Sequence, residues 1–399
     1  MHSIPLTADI VRGAAELESL EHGTRPHRLP AWAREQFPDP HLLGVEAQPA
    51  GLRLHFRTRA TVIELASHPG RTAYKGLDRP RGAVDVYIDG QLTARDVLTG
   101  GDVVEIDGQS GTAEQHRGPH HETRVSGLTS NEKTVEMWLP HNESLELISL
   151  RADAPIAPVS TARTPRWMHY GSSISQGSNA TAPSETWPAL AARRLSLDLR
   201  SMGFGGNGQL DPFAARVIRD SPAEAISLKV GINIVNADAM RWRAFVPAMH
   251  GFLDTIREGH PTTPLLLISP LYCGLHESTP GPLAIDPEAS MNAGALRFIA
   301  TGSQDEAAQG RLTLTMIREA LQEIIERRSA SDPHLHYLDG TLLYGSEDAA
   351  RLPLPDGLHP DAETHRLIGE RYVEYAPKAL RPIGSWRSVE EQALGAHHG

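Results

Sequence analysis

A single cysteine, Cys273, occurs among 399 residues, so neither an intrachain disulfide nor a cysteine-rich zinc site can form. Lysine is almost as scarce, found only at Lys75, Lys133, Lys229 and Lys378, and arginine supplies nearly all of the positive charge. Acidic residues outnumber basic ones for a net charge of −11, which removes any electrostatic reason to expect nucleic acid or an anionic membrane as partner. No apolar run approaches the ~18 residues of a membrane span. The opening stretch MHSIPLTADIVRGAAELESLEHG lacks the basic start and continuous apolar segment of a secretory signal. These absences predict a soluble, cytoplasmic protein with no membrane or nucleic-acid partner and give no indication of oligomeric state.

The composition, 40% hydrophobic and 22% charged, is that of a globular chain. Its length exceeds the roughly 250–300 residues at which single cores stop growing, which predicts two domains. The first 150 residues alternate in short β-like stretches such as GLRLHFRTRATVIELAS, GAVDVYIDGQLTARDVL, GDVVEIDG and TVEMWLP, punctuated by Gly, Pro and Asn. That spacing predicts an all-β sandwich, jelly-roll-like, with one short helix in LPAWAREQFPDPHL. An Ala/Pro/Ser/Thr stretch near 154–165 reads as a linker.

From Trp167 the texture changes. RWMHYG, LDLRSMG, EAISLKVG, PLLLISP and HLHYLDG read as strands, separated by the helical segments SETWPALAARRL, DPFAARVIRD, WRAFVPAMHGFLDTIREG and LTLTMIREALQEIIERR; a last helix follows from Asp361 to Leu380. This alternation predicts an α/β domain, a parallel sheet with helices on both faces and its site at the strand carboxyl ends. The expected organisation is 1–158 for the β-sandwich, 159–382 for the α/β domain, and 383–399 as a tail, a frayed helix or loose end with solvated histidines.

YGSSISQG, residues 170–177, falls at the first of those strand ends. Serines are common in turns, and the Gly-x-Ser-x-Gly elbow does not fit because position 175 is serine. SMGFGGNGQ, KVGINIVNAD and LPDGLHPD occupy later strand ends, and together they supply a hydroxyl, a histidine, an acid and oxyanion donors. Here the chain resembles the SGNH, or GDSL-type, hydrolase superfamily. Its first block, Gly-Asp-Ser-Ile-x-x-Gly, matches residues 171–177, giving Ser173 the nucleophile position. The resemblance puts Gly206 of GFGGNG and Asn233 of Gly231-Ile232-Asn233 in the oxyanion hole with Ser173, and Asp356 and His359 of Asp356-Gly357-Leu358-His359 in the triad. It implies a three-layer, flavodoxin-like α/β/α domain over about residues 165–380. Ser172 and Ile234 stand where the family normally has aspartates.

The chemistry agrees with those residue types. A serine hydroxyl needs a base, a neutral imidazole can take and return its proton, and a carboxylate can hold the other ring nitrogen. Plainer readings exist for each position: Asp356 and Gly357 as a turn, His359 as a helix start, Asn233 as a cap. Gly203, Gly205 and Gly208 match a dinucleotide-binding glycine pattern, but the required acid is missing from SLKVG. HHETR is no zinc motif, His334 and His336 lack a third ligand, and no cofactor or metal is expected. Cys273 and His276 lie in a loop expected to wall the pocket.

The N-terminal domain resembles that of a two-domain subgroup containing carbohydrate acetyl-esterases and a GDSL-type acyltransferase of tetracycline-type antibiotic biosynthesis. It is expected to shape the cleft rather than bind sugar independently. The activity implied is hydrolysis of a small acyl ester through an acyl-serine. The alternatives are acyl transfer to a hydroxyl of a small natural product or sugar, and a non-catalytic binding protein.

Overall fold

The computed structural model describes residues 1–77, 79–107, 110–160 and 164–379. The chain divides into two compact units, Met1–Arg163 with Ala182–Ser184, and Thr164–Thr181 with Glu185–Gly399.

In the first unit, side chains alternate across each strand; His121–Ser126 runs buried, exposed, buried, exposed along its length. One sheet is built on the long strand Val62–Tyr74, paired antiparallel with Ser144–Ala152 and His121–Ser126. The other joins Arg53–Thr58, Lys133–Trp138 and Ala83–Ile88. Leu65, Val125 and Leu147 from the first sheet share one apolar core with Leu54, Phe56, Val86 and Met137 from the second. This is the expected β-sandwich, two inner faces closed on each other.

Two details differ from expectation. LPAWAREQFPDPHL forms two helices, Ala31–Gln36 and Pro40–Glu46, because Pro38 and Pro40 break a single run: Asp39 is extended and caps Leu42 N–H at 2.8 Å, with Pro40 at the first helical position. The expected linker contains a strand, Ile156–Pro158, which pairs with Arg53–Thr58. Pairing its backbone with a sheet edge overrides its loop-like composition.

The second unit holds five parallel strands: β1 (Arg166–Gly171), β2 (Asp198–Gly203), β3 (Ala225–Lys229), β4 (Leu265–Ile268) and β5 (Leu335–Leu338). Their order is β2-β1-β3-β4-β5. Every residue of β3 and β4 is buried, as strands covered on both faces require. Along β1, Trp167 and His169 face the helices Trp187–Arg194 and Ala362–Ala379, meeting Trp187 and Tyr372. Tyr170, of opposite parity, meets Phe252 of helix Trp242–Gly259. Helices therefore cover both faces, and the strand order reverses at β1, where such sheets open a crevice at their carboxyl ends.

One element was not anticipated. After β4, strands Leu283–Ile285 and Phe298–Ala300 pair as a hairpin around the helix Pro287–Ala293. The expected tail, 383–399, lies outside the described residues. Among those residues no helix is long and apolar enough to cross a membrane.

Candidate active site

At the end of β1 the chain turns sharply. Ser172 is extended and its hydroxyl accepts from Ile174 N–H at 3.3 Å, so it caps a one-turn helix, Ser173–Gln176. A capping serine thus fills the position where the family carries aspartate, another good cap. Gly177, at φ 114°, ends the helix in a left-handed conformation that favours glycine. Ser173 opens this helix with its side chain at the rim of the strand ends.

The loop before helix Ala362–Ala379 brings the other groups to it. His359 Nε2 lies 3.0 Å from Ser173 Oγ, and His359 Nδ1 lies 2.8 Å from Asp356 Oδ2. Asp356 Oδ1 accepts the backbone N–H groups of Leu358 (2.9 Å) and His359 (2.7 Å), and Oδ2 also accepts Asn179 Nδ2 at 3.2 Å. The turn reading of Asp356 therefore holds alongside the triad geometry; one carboxylate makes both sets of bonds. Burial alone would raise its pKa, but the His359 hydrogen bond and charge with the two backbone donors outweigh that and leave it below the usual value. An ionised carboxylate only accepts, so His359 Nδ1 donates to it, and Nε2 is left to accept the Ser173 hydroxyl. That is the arrangement by which an imidazole can draw a proton from serine.

Asn233, fully buried after β3, accepts Gly208 N–H on Oδ1 at 2.9 Å. With Oδ1 so occupied, its Nδ2 remains as a donor. Among the described residues no acceptor is bonded to that Nδ2 or to the backbone N–H of Ser173 or Gly206. Gly206 sits exposed in the turn after β2 at φ 71°. The glycine pattern that mimics a dinucleotide motif has a packing origin here. A Cβ on Gly203 would come within 2.5 Å of Gln176 N, and one on Gly208 within 3.1 Å of Asn233 Oδ1 and the Gly171 backbone. Gln176 Oε1 also takes Gly205 N–H at 2.8 Å, tying the glycine loop to the nucleophile turn.

Below the turn lies a second, wholly buried network. His169 Nε2 is 2.8 Å from Ser175 Oγ, and His169 Nδ1 is 2.7 Å from Ser227 Oγ, which also accepts Trp167 Nε1–H at 2.8 Å. Burial, with Lys229 nearby, pushes the His169 pKa down to about 3. His365 is buried too, its pKa lowered by burial to about 4, and its Nε2–H donates to the Ser178 carbonyl at 2.9 Å. Both histidines are neutral struts.

Four further residues were given no role in the site from the sequence. Gly208 and Asn179, above, are signalled there only by lying within or beside motif blocks. Phe298 of the hairpin sets its ring edge-on to His359, centroids 5.8 Å apart, while its N–H donates to the Asp356 carbonyl at 3.2 Å; no motif in its segment gave a sign of this. Lys229 is the fourth, detectable as a rare lysine ending an apolar strand. It lines a small cavity with Ile174, Leu271, Cys273, Tyr344 and Leu358. Cys273 is a wall residue, its thiol buried and pushed up to about 12 by that burial. His276 instead is fully buried and bonds the Thr279 carbonyl at 3.0 Å.

Comparison with known proteins follows the same division. Residues 165–273 match the GDSL-like Lipase/Acylhydrolase family, and residues 10–147 match the N-terminal domain defined on SsfX3. A search of curated proteins finds no match. Among solved structures, the Salicylyl-Acyltransferase SsfX3 from a Tetracycline Biosynthetic Pathway is similar at 30% identity and TM-score 0.78, over 96% of this chain and 98% of that one. A protein described as a GDSL-like lipase from Bacteroides ovatus aligns at 21% identity and TM-score 0.66, over 95% and 98% of the two chains. An active-site mutant of a family two carbohydrate esterase from Clostridium thermocellum aligns at 13% and 0.58, over 93% and 100%. The last two share the fold.

Proposed function

We propose that this chain, which belongs to the GDSL-like lipase/acylhydrolase family, carries a small acyl group on Ser173 between an ester and an acceptor hydroxyl. Esterase or acyltransferase chemistry is its enzyme class. The observation that carries the residue assignment is the 3.0 Å approach of Ser173 Oγ to His359 Nε2, with Asp356 behind the ring at 2.8 Å.

In this reading Ser173 Oγ attacks the ester carbonyl as its proton passes to His359 Nε2. The carbonyl oxygen becomes an oxyanion met by the N–H groups of Ser173 and Gly206 and by Asn233 Nδ2. Collapse breaks the acyl–alkoxy bond, and the proton on His359 leaves with the alcohol. Asp356 holds the imidazolium in place throughout. A second hydroxyl then gives its proton to His359 and takes the acyl group, and His359 passes that proton to Ser173 Oγ as the acyl–serine bond breaks. The apolar cavity between Ile174 and Leu358, the chain neighbours of Ser173 and His359, takes the acyl group.

Water as acceptor makes the protein an ester hydrolase. A second reading, transfer to a hydroxyl of a small molecule, is favoured by the likeness to an acyltransferase across nearly the whole chain. Intact-mass measurement after mixing with a chromogenic acetyl ester tests the core of both: the expected result is one acyl adduct on wild type and none on Ser173→Ala. An adduct persisting in that variant overturns the assignment. Adding candidate alcohols then divides the two readings by product, since a hydrolase yields free acid at every alcohol concentration.

A further inference from the structure

The reaction as described leaves one buried charge without employment. Lys229 ends β3 at 2% exposure. Among the described residues its ammonium makes no hydrogen bond or ion pair, and the sole titratable neighbour acting on it is Cys273. Lys133, the other buried lysine, shows the normal solution: its Nζ donates to the carbonyls of Thr129 (2.7 Å) and Asn131 (3.1 Å). An unpaired ammonium out of water is costly and calls for an anion or strong acceptor.

The described residues provide none. Cys273 stays a neutral thiol, and His169 and His365, whose pKa values Lys229 helps to lower, are neutral rings. Burial lowers the Lys229 pKa to about 8, which still leaves most of it charged at pH 7. What the lysine does border is the cavity between Ile174 and Leu358, whose wall is mostly aliphatic with Cys273, Tyr272 and Tyr344 as its other polar side chains. The space for the centre of a water-sized group is about 10 Å³, room for about one such group, which suits the terminal oxygen of a short chain.

We propose that Lys229 makes this cavity selective for short acyl groups that end in an oxygen acceptor, a carboxylate above all, over plain alkyl acyl groups of the same length. A carboxylate arriving there gains a charge-assisted bond, whereas a methyl end leaves the ammonium desolvated and alone. The inference rests on the Ser173 acyl-transfer reading and adds the class of acyl group to it.

The test compares monoethyl succinate with ethyl pentanoate, chains of equal length ending in carboxylate or methyl. Wild type is expected to favour succinate in kcat/KM by roughly 10- to 100-fold at pH 7. Lys229→Met and Lys229→Gln are expected to erase that ratio. A ratio unchanged by either folded variant, or a wild-type preference for pentanoate, overturns the proposal. Should the variants fail to fold, wild type alone decides, because the preference must shrink as pH rises through about 8. Among the described residues the other titratable groups near Lys229 are Cys273, Tyr272 and Tyr344 of the cavity wall and the buried His169 and His365, and rate effects from His359 cancel in the ratio. A preference constant from pH 7 to 10 refutes it. Failure of Ser173 to take up acetyl would instead strike the underlying reading, so the two failures are separable.

Discussion

Two serine–histidine pairs hang from the same four-residue helix. Ser173 meets His359 Nε2 at 3.0 Å, and Ser175, two residues on, meets His169 Nε2 at 2.8 Å. By distance alone the second is the better pair. They differ in what stands behind the ring and in access. Behind His359 is an ionised carboxylate held by four donors; behind His169 is the Ser227 hydroxyl, which cannot balance a charge. His169 is wholly buried, with a pKa near 3, so it takes up no second proton at neutral pH. A general base needs a stabilised cation and a path to substrate, and a short serine–histidine distance supplies neither.

Removing each hydroxyl tests that contrast most severely. Ser173→Ala is expected to cost on the order of 10⁶ in kcat. Ser175→Ala should leave turnover within about an order of magnitude while lowering thermal stability, because a buried hydrogen-bond partner of His169 is lost. Equal collapse of turnover in a folded Ser175→Ala protein would erase the distinction. Next in size is the group behind the ring. Asp356→Asn should cost about 10⁴ in kcat by offering His359 the wrong partner, measured with the same ester. Asn233→Ala follows, at about 10²–10³ in kcat with little change in KM, as expected for a donor that acts on the transition state. If KM moves instead, Asn233 binds substrate and is no oxyanion donor.

Much of this was legible in the sequence, for a physical reason. A parallel sheet gathers its strand carboxyl ends along one edge, so residues following strands can be grouped before any coordinate is known. Ser173, Gly206, Asn233, Asp356 and His359 were all named from that rule and the motif blocks, and the five strands fall on the stretches read as strands. What the sequence withheld depends on side-chain direction and on long-range closure. Nothing in SLKVG says that Lys229 lacks a partner, since Lys133 finds two carbonyls from similar surroundings. Phe298 lies in a segment without periodicity, and only the hairpin pairing with Leu283–Ile285 carries its ring to His359. His169 was passed over because a histidine in a strand has no local mark separating a strut from a base.

The smallest effect concerns those struts and reads out in stability. His169 and His365 have folded pKa values near 3 and 4, below the unfolded value near 6.5. Below pH 6.5 the unfolded chain therefore binds protons that the folded chain refuses, and stability falls as pH falls. Each histidine contributes about 1.4 kcal/mol per pH unit in that range, down to its folded pKa. His250, His276 and His336 are also lowered by burial and add to the wild-type slope, so the variant must be compared with wild type pH by pH. Asp356 is lowered as well, but its contribution is lost only below the carboxylate range, leaving pH 6.5 to 4.5 to the histidines. Urea unfolding across that window should show His365→Gln less stable than wild type at pH 6.5, with the gap closing by about 1.4 kcal/mol for each unit of acidification. A constant gap would mean that His365 takes a proton without unfolding, and that the seal around the lower network is looser than its burial implies.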